Sequence, residues 1–311
     1  MNENQKVAVL IYLYDMRFWD EISQLLFNIK DHIAIHISLY KHADYSQVLN
    51  DINNNFDIID IEYVENHGVD ISPFLNQIKN LCSEKFPFFI KIHSKSSNIM
   101  GLEWKYLLIN DCIGSKEIFL SNLSDMNKKD NIGAITNKSL IYEILSDQHH
   151  EKLNELEKIV GVKETPTNIG YGFMAGDIFW GRTNIFKKYF NAETVPKIDC
   201  LLENGLVKDV VPTYCHACER LFGTIVSDSH HIIAGANIKP YMQIYNKKLN
   251  IYFDIYKCYN SYCHNNDIPR IFGRIFETNI HKSCVINWDH VDSEIIHFYQ
   301  ENSDNKYLVR K

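Results

Sequence analysis

The stretch VENHGVDISPFLNQIKNLCSEKFPFFIKIHSKSS, residues 64–97, decides the fold class. Its first part, Glu65-Asn66-His67-Gly68-Val69-Asp70, is a polar turn. The second part sets Ile71, Phe74, Leu75, Ile78 and Leu81 at the spacing of an amphipathic helix. The third, Phe86-Pro87-Phe88-Phe89-Ile90, is a short apolar strand that stops at Lys91-Ile92-His93-Ser94-Lys95. Open α/β sheets bind ligands where buried strands release polar side chains at their C-terminal ends. The helix start beside that end offers N–H groups suited to an anion. Together these features predict a site for a phosphate-bearing ligand.

Upstream, residues 6–14 (KVAVLIYLY) are almost continuously apolar, as in a parallel strand buried on both faces. Residues 19–29 carry Ile22, Leu25, Leu26 and Ile29 at helical spacing, and residues 33–40 alternate Ile33, Ile35, Ile37 and Leu39. A short helix over 44–52 and a third strand over 56–64 follow. Strands alternating with helices predict an α/β class: a mostly parallel, Rossmann-like central sheet flanked by helices. Downstream, helices are expected over 103–113, 116–126, 148–160, 184–190 and 215–222, with a strand over 132–137. Residues 168–172 form a Gly-rich loop, and 173–182 (FMAGDIFWGR) a strand broken at Gly176-Asp177. Past Pro240 the chain turns rich in Tyr, Lys and Asn. The expected division is a main domain carrying this ligand site over 1–238 and a mainly helical appendage over 239–311.

An apolar fraction of 45% and a charged fraction of 23% over 311 residues are those of an ordinary globular protein, and 18 Tyr and 17 Phe supply a large core. The net charge of −7 argues against nucleic acid as partner. The N-terminal residues lack the pattern of a signal peptide, and no apolar run reaches transmembrane length, so a cytoplasmic location is expected. The eight cysteines are scattered, which in a reducing compartment implies free thiols. Cys215-His216-Ala217-Cys218 is half a zinc pattern without its second half.

Three groups of residues can carry chemistry. Asp70 stands where it can cap the helix, or it and Asn66 can bond a base or ribose. Lys91, His93, Ser94 and Lys95 crowd one strand end and can neutralise a diphosphate, although a solvated basic loop has the same composition. Glu219 lies one helical turn from His216 and beside Arg220; it can serve as general base for an acceptor hydroxyl, or be half of a surface ion pair. Asp177 is the rival base.

In their order these pieces resemble the rhamnan synthesis protein F family of bacterial polysaccharide-assembly proteins. The resemblance runs over about residues 6–225, through Trp19-Asp20-Glu21, VENHGVDISPFL, KIHSKSS, Glu103-Trp104, Gly114-Ser115-Lys116-Glu117, FMAGDIFWGR and CERLFG. It is similar more broadly to GT-A glycosyltransferases. The resemblance implies transfer of a sugar from a nucleotide-diphosphate donor to a glycan or lipid-linked glycan. Tyr12, Tyr14, Asn66, His67, Gly68 and Asp70 would then face the nucleoside, and Lys91, His93, Ser94 and Lys95 the diphosphate. Trp104, Ala175, Gly176 and Arg220 would face the sugar and acceptor, with Glu219 or Asp177 as base. Where GT-A enzymes carry an Asp-x-Asp metal motif, this chain has His93-Ser94-Lys95. That departure implies that Lys and His stand in for the metal, while a divalent cation (Mg²⁺ or Mn²⁺) on Asp70 or Asp177 stays open.

The alternative from the same residues is a non-catalytic glycan- or nucleotide-binding scaffold module. A Rossmann oxidoreductase is disfavoured, because no Gly-x-Gly-x-x-Gly follows the first strand. In the appendage, Tyr241, Tyr245, Tyr252, Phe253, Tyr256 and Tyr259 beside Lys247, Lys248 and Lys257 either pack on the main domain or make peripheral contact with the inner membrane.

Overall fold

The computed structural model describes residues 6–94, 108–137, 140–143, 149–163, 172–205, 212–236, 243–246 and 251–254. Its centre is a seven-stranded sheet in the order β3-β2-β1-β4-β8-β5-β9. The first half alternates as the sequence predicts: β1 (Val7–Leu13), α1 (Arg17–Phe27), β2 (Ile33–Tyr40), α2 (Ser46–Asn55), β3 (Ile58–Val64), α3 (Ile71–Asn80) and β4 (Phe88–His93). These four strands pair parallel. Every residue of β1 is buried, because β2 and β4 flank it and helices cover both faces.

The second half contains α4 (Lys116–Lys128), β5 (Ile132–Thr136), β6 (Ile141–Glu143), α5 (His150–Val160), β7 (Gly172–Met174), β8 (Phe179–Arg182), α6 (Thr183–Tyr189), α7 (Thr194–Asp199), α8 (Tyr214–Asp228) and β9 (Ile232–Gly235). Residues 108–113 are also helical. Here β8 runs antiparallel to both neighbours, β4 and β5. The predicted broken strand is two strands, and they lie in different sheets. β7 pairs with β6 in a small ribbon; the chain then turns at Gly176 (φ 89°) and Asp177 (φ 61°) and enters the central sheet as β8. Because β8 is reversed, that turn arrives at the C-terminal end of β4, with Phe179 opposite Lys91.

The core beneath this edge is aromatic. Phe74 on α3 packs edge-on against Phe179 and Phe222, with ring centroids 6.1 and 5.2 Å apart, and tilted against Phe89 at 5.6 Å. Gln77 ties α3 to the sheet by donating to the Ile11 carbonyl (3.0 Å) and the Ser38 hydroxyl (2.7 Å). Thr213 caps α8, its hydroxyl accepting from the His216 N–H at 3.1 Å.

Residues 6 to 236 belong to one compact unit apart from the segment 95–107. In the expected helical appendage the described residues are instead strands: β10 (Gln243–Asn246) and β11 (Ile251–Asp254) pair antiparallel, with Tyr245 opposite Tyr252. Phe253 also lies in β11, opposite Ile244; the remaining residues proposed for membrane contact lie outside the described ones. Among the described residues no helix is long and apolar enough to cross a membrane.

Candidate functional site

The strand expected to end at Ile90 continues through His93. This corrects the picture of a basic loop. In a strand, alternate residues share a face, so Phe89, Lys91 and His93 all point toward α3 and α8. Lys91 is therefore buried, with 2% of its side chain exposed. A buried ammonium needs partners, and Lys91 has two. Its Nζ donates to Asp70 Oδ2 and to Asp177 Oδ2, each at 2.5 Å, and to the Asp177 carbonyl at 3.2 Å. The Phe74 ring lies 5.3 Å from it. Lys91 is thus consumed within the protein and has no face open to a diphosphate.

Asp70 occupies the first position before α3, yet its side chain makes no capping bond. It turns to Lys91 instead. The start of α3 is also closed as an anion site. The Ile71 and Ser72 N–H groups donate to the Gly68 carbonyl at 2.9 and 3.4 Å, and Pro73 has no N–H. The expected contribution of that helix end to phosphate binding therefore does not hold.

His93 completes the cluster. Its Nε2 lies 3.2 Å from the Gly176 carbonyl, and its Nδ1 lies 3.7 Å from Asp70 Oδ1. One potential ligand atom each from Asp70, His93 and Asp177 falls within 4.8 Å of the others, the one such group among the described residues. The two carboxyls titrate in opposite directions. Burial works against ionised Asp70, but His93 and Lys91 override it and hold this carboxyl well below the usual range. Burial pushes Asp177 well up; Lys91 opposes, while Asp70 and Glu219 push it further. Asp70 ionises first and Asp177 keeps its proton longest.

Tyr12 sits opposite His93 across the β1–β4 pairing. Its ring is buried and its hydroxyl has no hydrogen-bond partner among the described residues. Tyr14, 46% exposed, stacks on Tyr40 with centroids 4.8 Å apart. Ser94 stitches this edge together: its N–H donates to the Tyr12 carbonyl at 2.9 Å, and its hydroxyl accepts from the Tyr14 N–H at 2.9 Å.

A family model described as Rhamnan synthesis protein F matches residues 1–231. The chain belongs to that family. No curated protein matches it. Solved structures with some likeness include a cytidylyltransferase from Leptospira borgpetersenii serovar Hardjo-bovis, 9% identical over 99% of each chain with a TM-score of 0.34. Another is the 4-diphosphocytidyl-2C-methyl-D-erythritol synthase of Anaerococcus prevotii, 12% identical over 78% of this chain and 92% of that one, also with a TM-score of 0.34. Likenesses this distant carry no argument about ligand or reaction. The match to the rhamnan synthesis protein F family places the chain among polysaccharide-synthesis proteins.

In this family member the other expected site residues fall in two places. Asn66, His67 and Gly68 are pinned against the segment after α7. His67 Nδ1 lies 2.8 Å from Asn204 Oδ1 and its Nε2 2.9 Å from the Asp199 carbonyl, while the Gly68 N–H donates to the Glu203 carbonyl at 2.8 Å. Gly68 has φ of 63°, and a Cβ there would meet Leu202 Cδ1 at 2.6 Å, so both conformation and space call for glycine. Both His67 nitrogens are engaged by the protein itself. Glu219 and Arg220 lie on α8, with Arg220 Nη1 3.4 Å from Glu219 Oε2 and its guanidinium 4.3 Å over the Phe173 ring. Glu219 keeps 20% of its side chain exposed, against 1% for Asp177. Ala175 is buried, and its N–H donates to the Leu140 carbonyl at 2.8 Å. Lys95 and Trp104 lie outside the described residues.

Cys215 and Cys218 are free, and burial pushes both thiols up, so they stay protonated. The sequence did not reveal that Glu203 caps α8, its carboxylate accepting from the Tyr214 and Cys215 N–H groups at 2.6 and 3.1 Å. No local signal marks such a cap, which comes from outside the helix.

Proposed function

We propose that the chain is a glycosyltransferase. It moves a sugar from a nucleotide-diphosphate donor to a hydroxyl of a growing surface polysaccharide (an O-antigen, capsule or cell-wall glycan), with inversion at the anomeric carbon. The observation that carries this reading is the Asp70–Lys91–His93–Asp177 cluster. It sits at the C-terminal edge of a mostly parallel sheet, where such sheets bind ligands, in a chain of a polysaccharide-synthesis family.

Roles follow from exposure. Tyr14 offers an exposed ring to the base of the donor. Asp177 is too deeply buried to meet an acceptor, so the general base is Glu219. Its carboxylate takes the proton of the acceptor hydroxyl, whose oxygen forms the new bond to the anomeric carbon. The bond from that carbon to the diphosphate oxygen breaks, and its electron pair leaves with the nucleoside diphosphate. Arg220, beside Glu219, holds the carboxylate in place. The test is transfer by Glu219→Gln. The expected result is a loss of roughly 10²–10⁴-fold in turnover, the usual worth of a general base, with donor affinity retained within a few fold. Full activity removes Glu219 from this role.

A further inference from the structure

We propose that Asp70, His93 and Asp177 bind one divalent transition-metal ion, by ligand chemistry Mn²⁺, with Lys91 as the counter-charge behind it. The proposal deepens the transferase reading and rests on it only for the use made of the ion. Each carboxylate spends its Oδ2 on Lys91, so each has its Oδ1 left to face the cluster. Asp177 Oδ1 is buried and accepts no hydrogen bond among the described residues. A buried carboxyl oxygen in that position has lost its water with no donor or cation in its place.

His93 is oriented for the same purpose. The Gly176 carbonyl can only accept, so the Nε2 beside it carries the ring proton. Whenever the ring is neutral, its lone pair is then on Nδ1, which lies 3.7 Å from Asp70 Oδ1. Metal-binding histidines are held in this way, with the far nitrogen donating to a backbone carbonyl. Ligands of one ion at bonds of about 2.1 Å lie roughly 3 to 4.2 Å apart. The cluster, at 4.8 Å or less, needs only small side-chain rotations to reach that spacing. The Tyr12 hydroxyl is a second, independent buried polar group without a described partner. It lies across the strand pair from His93 and under the influence of the Asp70 charge.

Charge gives the ion a purpose. With both carboxylates ligating and Lys91 charged behind them, a divalent ion leaves the cluster net positive and presents a cation to the leaving group. Two oxygens and an imidazole nitrogen suit Mn²⁺ better than Mg²⁺, which prefers oxygen throughout.

The test uses the full chain, stripped of metal with a chelator and desalted, and titrated with MnCl₂ while the electron paramagnetic resonance signal of free Mn²⁺ is followed. The expected result is uptake of one Mn²⁺ per chain, with ¹⁴N coupling from a histidine in the pulsed spectrum of the bound ion. His93→Gln, with folding checked by circular dichroism, should weaken uptake at least tenfold. A wild-type protein that leaves the free signal unchanged at millimolar MnCl₂ overturns the proposal. So does a bound ion without nitrogen coupling, which keeps the test decisive if the variant does not fold. Calorimetry with nucleoside diphosphates in EDTA separates this from the transferase reading. Nucleotide binding without Mn²⁺ uptake removes the ion alone; Mn²⁺ uptake with no nucleotide binding, even when Mn²⁺ is present, removes the transferase alone.

Discussion

The two halves of the central sheet meet at Lys91, and they contribute to it unequally. From the first half comes Asp70, at the start of α3, 21 residues away in sequence; from the second comes Asp177, 86 residues away, delivered by the reversed strand β8. Both lie 2.5 Å from the same ammonium. Asp70 sits at the rim with 13% of its side chain exposed, whereas Asp177 is sealed at 1%. Equal distance has therefore not produced equal charge. Burial works against both ionised carboxyls, but His93 and Lys91 together hold Asp70 low, whereas Asp70 and Glu219 add to burial in pushing Asp177 up.

Breaking the junction itself should have the largest effect. Lys91→Met leaves two buried carboxyls without their cation and should cost about 3–5 kcal/mol. For a domain of this size that lowers Tm by roughly 10 °C or more, read by thermal denaturation.

Separating the halves should give a smaller and asymmetric result. Asp70 has its folded pKa below the unfolded value, so its stabilisation is present above about pH 4 and fades as pH falls. Asp177 is the reverse: its folded pKa is raised, so its cost grows as pH rises past about 4. At pH 7 Asp70→Asn should lose about 2–4 kcal/mol, while Asp177→Asn should lose no more than about 1 kcal/mol. Denaturant titration of both variants checks the order. Equal losses would mean that the two carboxyls are equally ionised.

The smallest expected effect lies at the turn before α3. Burial works against protonation of His67, but Asn204 and Asp199 outweigh it and raise its pKa. A raised histidine stabilises fully below about pH 6.5, and its contribution fades as pH rises through the folded value. Wild type should therefore lead His67→Gln in Tm by more at pH 6 than at pH 8, by a margin of about 1 °C or so.

The same division separates what the sequence disclosed from what it did not. The first half was legible because each β–α unit carries its own period: a continuous apolar run in β1, alternating Ile33, Ile35, Ile37 and Leu39 in β2 (although His36 and Ser38 on its other face are buried too), and Phe74, Leu75 and Ile78 on α3. The second half was less so. The short elements β6, α7 and β9 hold too few residues for a period to show. The reversal of β8 has no local signature, since apolar residues do not encode strand direction. Lys91 misled for a related reason. A lysine after an apolar run resembles a strand end, and only its distant partners show that the strand continues. The candidate residues Asp70, His93 and Asp177 were each named from sequence; that they converge on one buried lysine was not visible there.

Nucleotide binding tests the central claim most directly, namely that this junction is the donor-binding centre of a sugar transferase. Wild type and Asp70→Asn should be titrated by calorimetry with uridine, thymidine, guanosine and cytidine diphosphates, with Mn²⁺ present. The account predicts that at least one binds wild type and binds Asp70→Asn at least tenfold more weakly. If none binds the folded wild-type protein, the account is contradicted and a non-catalytic scaffold takes its place.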